Sequence, residues 1–255
     1  MIDIHCHVLP EIDDGSQSRA MSLKMCKMAH ASGVSDIIAT PHMMDLYAGD
    51  EFKEKVEVRV RYMNELLQQQ GIPLTIHKGA EVYASEDILY SPDLHDYTLA
   101  GSRYLLFEFD FGSADLSYAK EVISVVQSQD LIPVIAHPER YTFTQSDYEN
   151  INRLADCGAL FQCNIGSLTG ELGKRSAKLA GAMLNAGAIS FLATDAHRVE
   201  FRNTDIQGML ECIKDFKKKL DLSRIEEFLL TNPMKILKGE RVDYPQFETL
   251  KKKLF

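Results

Sequence analysis

Five of the eight histidines in this 255-residue chain stand where an apolar stretch gives way to a polar one. His5 and His7 follow the alternating run Ile2-Asp3-Ile4, and side chains alternate across a strand, so the two imidazoles share a face and Cys6 takes the other. His42 comes just after Asp36-Ile37-Ile38-Ala39, Glu81 ends a run that starts at Leu74, and Glu108 follows Tyr104-Leu105-Leu106-Phe107. His137 follows Ile132-Pro133-Val134-Ile135-Ala136, and Asp195 and His197 close the run 188–194, again two residues apart. Asp14 lies in the loop beyond His7. Imidazole and carboxylate without thiolate suit Mn²⁺, Fe or Zn²⁺ rather than a cysteine-rich structural zinc. Nine such ligands are too many for one ion. A carboxylate such as Glu81 can bridge two ions about 3.5–4 Å apart, the arrangement used to hydrolyse phosphate esters.

These residues can meet only if the elements that carry them converge. Seven apolar segments read as strands, and helices are expected between them, over about 17–32, 50–70, 115–129, 147–157, 173–186, 203–219 and 223–230. Strands alternating with helices imply a parallel sheet. An open doubly wound sheet is one solution. The polar residues at the strand ends favour a closed barrel, whose chemistry gathers at the C-terminal ends of the strands. The sixth strand, 159–165, offers no ligand.

Composition narrows the function further. One core suffices for this length, and no Pro/Ser/Gly-rich linker divides the chain, so a single domain over 1–255 with a basic tail over about 240–255 is expected. A formal charge of −9 argues against a general nucleic-acid binder. No apolar run approaches the ~20 residues of a membrane span, and the first residues show no basic region followed by a long apolar stretch. Five cysteines, an odd number without a CxxC pair, fit reduced thiols in the cytoplasm. A cysteinyl-phosphate mechanism needs Cys-x5-Arg, but the residues six beyond the cysteines are Ile12, Ser32, Cys163, Thr169 and Lys218. The glycine-rich stretch 166–176 lacks the spacing of a Walker loop, and the runs Lys217-Lys218-Lys219 and Lys251-Lys252-Lys253 read as solvated surface.

Taken together, His5-Cys6-His7, Asp14, Thr40-Pro41-His42, Gly79-Ala80-Glu81, Phe107-Glu108, Ala136-His137-Pro138-Glu139-Arg140 and Thr194-Asp195-Ala196-His197 resemble the PHP (polymerase and histidinol phosphatase) superfamily. The opening from His5 to Gly15 is similar to one branch, the metal-dependent protein-tyrosine phosphatases of capsule and exopolysaccharide operons in Gram-positive bacteria. The resemblance runs to about Asn232-Pro233. It implies a distorted seven-stranded (β/α)7 barrel of the TIM-like kind with two or three divalent ions, manganese first, with iron, zinc, magnesium or cobalt as alternatives. It further implies that His5, His7, Glu81 and Asp195 hold one ion, Glu81, Glu108 and His137 a second, and Asp14, His42 and His197 a third. The implied substrate is phosphotyrosine on the tail of a cognate bacterial tyrosine kinase that controls capsule or exopolysaccharide synthesis. Histidinol phosphate or another small phosphomonoester is the alternative.

In the implied mechanism a hydroxide held by the ions attacks phosphorus in line. A tyrosyl phenol, with a pKa of about 10, leaves readily, and Asp14 or His42 are candidates to protonate it. Arg140, three residues beyond His137, is the first candidate to bind phosphate, because guanidinium matches two phosphate oxygens in one plane. Arg198 and Arg202 are the second choices. The loop from Met43 to Asp50, with Met44, Leu46 and Tyr47, either grips the substrate or caps the barrel. The sequence sets no oligomeric state.

Overall fold

The computed structural model describes residues 1–90, 93–216 and 219–251. Strand β1 (Ile2–Cys6) leads into helix α1 (Arg19–Ala31), β2 (Asp36–Ala39) and a short β3 (His42–Met43). Helix α2 (Gly49–Gln69) follows, then β4 (Thr75–Lys78), β5 (Glu81–Tyr83), β6 (Tyr104–Glu108), α3 (Leu116–Ser128) and β7 (Ile132–Ala136). The chain continues through α4 (Thr142–Ser146), α5 (Glu149–Asp156), β8 (Leu160–Asn164), α6 (Ile165–Thr169) and α7 (Lys174–Ala186). It closes with β9 (Phe191–Ala193), α8 (Ile206–Phe216) and α9 (Asn232–Leu237).

All strand pairs are parallel, and they form two sheets, β1-β2-β4 and β3-β5-β6-β7-β8-β9. Seven strands were expected and nine are seen among the described residues, because two are broken just before their ligands. One break is at Thr40-Pro41, where proline cannot donate to a ladder. The other is at Gly79-Ala80: a Cβ on Gly79 would sit 2.8 Å from Ile38 Cγ2, so only glycine lets the two broken strands pack this closely. Regular pairing therefore does not close into one ring. Where β1 and β9 meet, the contact is a single bridge, Cys6 with Ala196, flanked by hydrogen bonds from Asp195 N to His5 O (2.8 Å) and from His7 N to Ala196 O (2.9 Å).

The period-2 alternation of the strands sorts the core. Tyr104, Leu106, Val134, Ala136, Leu160, Phe191 and Ala193 join Ile2, Ile4 and Ile38 in one buried cluster. The alternate residues Leu105, Phe107, Ile135, Phe161, Cys163 and Leu192 pack into a larger cluster with the helices. Following the first parity towards the C-terminal strand ends, Leu106 is succeeded by Glu108, Leu160 by Gln162 and Asn164, and Ala193 by Asp195. The same side of the sheet thus turns from apolar to polar at one end.

Two other expectations change. The helix expected over 223–230 is a π-type turn, Glu227–Thr231, that runs straight into α9. Pro233 falls in the first turn of α9, just after that π-type turn. The tail is tied down as far as the described residues go: Val242 N donates to Tyr104 Oη (2.6 Å), and Leu250 exchanges hydrogen bonds with the Asn152 side chain. Of the lysine runs, Lys217, Lys218, Lys252 and Lys253 lie outside the described residues. Among the described residues no helix is long and apolar enough to cross a membrane.

Asp3 pins β1 to the end of β9. Its carboxylate accepts from His5 N (3.4 Å), Thr194 N (3.1 Å) and Thr194 Oγ1 (2.5 Å). Burial pushes the Asp3 carboxyl up to about 6 against the pull of those hydrogen bonds. The folded chain therefore binds this proton more tightly than the unfolded one, and the group's contribution to stability falls as pH rises from about 4 through about 6. Asp3→Asn should remove that slope. In urea unfolding of metal-free protein at pH about 4.5 and about 7.5, the variant should lose about 2 kcal/mol less than the parent between the two.

Candidate metal centre

Three of the five imidazoles are oriented from behind before they reach the pocket. His5 Nδ1 donates to Gln162 Oε1 (2.8 Å), His7 Nδ1 to Asp13 Oδ2 (2.7 Å) and His197 Nδ1 to the Asp195 carbonyl (3.0 Å). These bonds fix the tautomers and leave the Nε2 lone pairs of all three rings to face the pocket. His5 Nε2 and His7 Nε2 approach to 3.2 Å. Both sit 3.1–3.2 Å from Glu81 Oε2 and 3.5 Å from Asp195 Oδ1.

Glu81 is the hub. His42 Nδ1 lies 3.1 Å from its Oε2 and 3.0 Å from Glu108 Oε1, while His137 Nε2 lies 2.9 Å from Glu81 Oε1 and 3.6 Å from Glu108 Oε2. On the outer side, Asp14 Oδ1 is 3.4 Å from both His42 Nε2 and His197 Nε2. Ligand atoms group within 4.8 Å of one another in three sets: His5, His7, Glu81 and Asp195; His7, Asp14, His42 and His197; and His42, Glu81 and Glu108. All nine residues singled out from the sequence meet here. The grouping differs from the expected one in three respects: His7 also joins the Asp14 set, His42 also joins the Glu108 set, and His137 stands against the far oxygens of the two glutamates.

The donor set fits divalent cations on the structure's own terms. Glu81 Oε2 and His42 Nδ1 are buried and make no hydrogen bond, although imidazoles surround the first and carboxylates the second. Buried polar atoms left in that state are costly unless something else binds them. The electrostatics agree. Burial opposes charge on His5 and His42, yet Glu81 with Asp195 holds His5 at about 9, and Glu108 with Glu81 holds His42 at about 11. Burial and the neighbouring His7 charge drive His197 down to about 2. Burial is likewise overcome at Asp195, which His5, Arg202 and His137 hold below the carboxylate range, and at Glu81 by His5, His137 and His42.

Several contributors had no signal as ligands. β8, expected to be silent, carries a buried amide relay. Gln162 Oε1 accepts from His5 Nδ1, Gln162 Nε2 donates to Asn164 Oδ1 (2.8 Å), and Asn164 Nδ2 donates to Asp195 Oδ2 (2.7 Å). Glu139 steadies the relay by accepting from Asn164 N (3.1 Å) and Ser167 Oγ (2.7 Å). Asp13, beside the expected Asp14, binds His7 and accepts from the His42 backbone N–H (3.0 Å). β9 stops at Ala193, and Asp195 takes φ +51°, as His137 takes +31°. Asp195 and His197 are therefore placed by a left-handed turn and not by strand alternation, the kind of local strain that tertiary contacts hold at functional sites.

The arginines divide. Arg140 Nη1 donates to Asp195 Oδ2 (3.1 Å) and Arg202 Nη2 to Asp195 Oδ1 (2.6 Å), with both side chains about one-fifth exposed at the pocket edge. Arg198 Nη1 is bound instead to the carbonyls of Asp14, Gly15 and His197, which ties the Asp14 loop to the segment after β9.

A parallel α/β fold that gathers five imidazoles, four carboxylates and two arginines at its C-terminal strand ends defines a protein built to bring divalent cations to an anionic ligand. Residues 1–238 match the family described as "Capsular polysaccharide synthesis, CpsB/CapC", and the chain belongs to that family. It is 35% identical over 240 residues to the tyrosine-protein phosphatase YwqE of Bacillus subtilis, covering 91% of this chain and 92% of that one. It is 29% identical over 251 residues to the tyrosine-protein phosphatase CpsB of Streptococcus pneumoniae, covering 95% and 100%. A solved structure described as YwqE from Bacillus subtilis and CpsB from Streptococcus pneumoniae, unique metal-dependent tyrosine phosphatases, superposes with a TM-score of 0.83 at 32% identity over 99% of this chain and 100% of that one. A β-aspartyl dipeptidase from Fervidobacterium islandicum shares the fold alone, at TM-score 0.53 and 13% identity over 97% of this chain and 75% of that one.

Two outcomes are expected. Gln162→Leu should weaken Mn²⁺ binding by about tenfold or more, read by chelator competition, because His5 loses the acceptor that orients it; an unchanged affinity would remove the relay from the site. A cation must also displace protons from His5 and His42. Binding should therefore release protons at about neutral pH, and the apparent affinity should strengthen between about pH 6 and about pH 8, as measured by calorimetry in buffers of different ionisation enthalpy.

Proposed function

We propose that this chain is a metal-dependent protein-tyrosine phosphatase of capsule or exopolysaccharide synthesis. The observation that carries the reading is Glu81, whose buried and unbonded Oε2 is ringed by His5, His7 and His42 in a chain of the CpsB/CapC family. His5, His7, Asp14, His42, Glu81, Glu108, His137, Asp195 and His197 would hold two or three divalent ions, manganese first. When bound, the ions supply the positive charge that activates water and neutralises a phosphate ester.

The protein's own groups do the rest. Arg140 and Arg202, each anchored on Asp195, present guanidinium to the pocket and are the candidates to grip the non-bridging phosphate oxygens. A phenolate of pKa about 10 leaves without a strong acid, so proton transfer at the mouth is a lesser demand. Asp14 and His42, the most exposed of the nine, are the candidates to protonate the leaving oxygen. All five thiols are unpaired, and none lies six residues before an arginine, so a thiolate nucleophile has no support. Those unpaired thiols favour a cytoplasmic location, and the family favours a bacterial tyrosine kinase as the phosphorylated partner. We read the two sheets, joined at the broken strands and at the β1–β9 bridge, as the distorted seven-stranded barrel of that family.

The test is turnover by manganese-loaded protein of a phosphotyrosyl peptide, the matching phosphoseryl peptide and histidinol phosphate. Preference for the phosphotyrosyl peptide is expected, and preference for histidinol phosphate would overturn the substrate class. Arg140→Ala should lower kcat/KM by about 10²–10³ with metal content intact. Asp195→Ala should lose metal and turnover together, as metal analysis alongside the assay would show.

A further inference from the structure

We infer that Phe111 selects an aryl phosphate over an alkyl one, an inference that rests on the phosphatase reading. Phe111 lies three residues beyond Glu108, in the loop between β6 and α3. Its ring centroid is 5.6 Å from that of His137 and 5.7 Å from that of Tyr141, and the Arg140 guanidinium carbon stands 4.4 Å from it. Its carbonyl accepts from Thr142 N (2.9 Å), which fastens the loop to the segment carrying Arg140. The ring is thus held by a metal-site imidazole, a buried phenol and the first-choice phosphate arginine.

Even so, Phe111 is 40% exposed. Covering that surface would be favourable, and a fixed aromatic left partly open beside a polar pocket suits a ligand that brings its own apolar face. Phosphate held between Arg140 and the glutamate–imidazole cluster has its ester oxygen, and whatever is bonded to it, within reach of this ring. A tyrosyl ring there makes an aromatic contact; a seryl methylene is too short to fill the place. Exposed apolar side chains also collect at this end of the molecule. Met44 and Tyr47 follow β3 and Phe201 follows β9, on the same C-terminal side of the sheet. That distribution suits a polypeptide lying across the mouth.

The experiment uses the manganese-loaded full chain, with a phosphotyrosyl peptide as substrate and inorganic phosphate as competitive inhibitor. Phe111→Ala should raise KM for the peptide about tenfold and leave the inhibition constant of phosphate within about twofold. Phe111→Leu, which keeps apolar bulk without a flat ring, should fall between, and Phe111→Tyr should stay close to the parent. Parallel rises in KM and in the phosphate inhibition constant would overturn the inference, since the ring would then act only by holding Arg140. Unchanged KM in both the Ala and Leu variants would overturn it equally. Parent protein that turns over no phosphotyrosyl peptide overturns the phosphatase reading itself, whereas an active parent with indifferent Phe111 variants defeats only the present inference.

Discussion

A carboxylate with no exposure to water, faced by four imidazoles, is the constraint around which this molecule is built. Glu81 lies within 3.2 Å of His5, His7, His42 and His137, rings supplied by three separate segments of the chain. Taking a charge out of water costs several kcal/mol unless partners replace the solvent. The imidazoles around Glu81 replace it, and two of them, His5 and His7, are themselves oriented by Gln162 and Asp13. Removing any one of these supports would leave a buried imidazole free to choose the wrong tautomer. The strand breaks at Thr40-Pro41 and Gly79-Ala80 belong to the same design, because they redirect His42 and Glu81 towards the shared centre.

The sequence disclosed the ligands well and their supports poorly. Ligands carry a chemical signature: His or an acid at the end of an apolar run is unusual enough to be noticed nine times over. Gln162 and Asn164 carry none, since amides bind no metal in such sites by preference and are common in loops. Their strand parity with Leu160 was a usable clue, because a glutamine on the buried side of a strand needs a partner. Asp13 was eclipsed by Asp14 next to it, although only Asp13 reaches the back of His7. Arg198 had no signal for its contacts either: only three-dimensional proximity reveals that backbone carbonyls engage its Nη1.

The overall architecture was legible as an alternation of strands and helices, while its irregularities were not. Breaks in β2/β3 and β4/β5 depend on close approach between segments far apart in sequence, as the contact of Gly79 with Ile38 illustrates. The left-handed turn at Asp195 likewise depends on β1, which receives its backbone N–H at His5 O. The family match covers residues 1–238, and the solved relative at 32% identity superposes over 99% of the chain.

That seam between the first strand and the last has a consequence for biosynthesis. His5 leaves the ribosome well before Asp195, and their shared pocket is sealed only when the segment after β9 docks beside β1. Contacts of such long sequence separation form late, after most of the loop-closure entropy has been spent. A nascent chain therefore carries His5 and His7 unassembled until β9 has emerged, and cation capture waits on the ions present around the chain at that later moment.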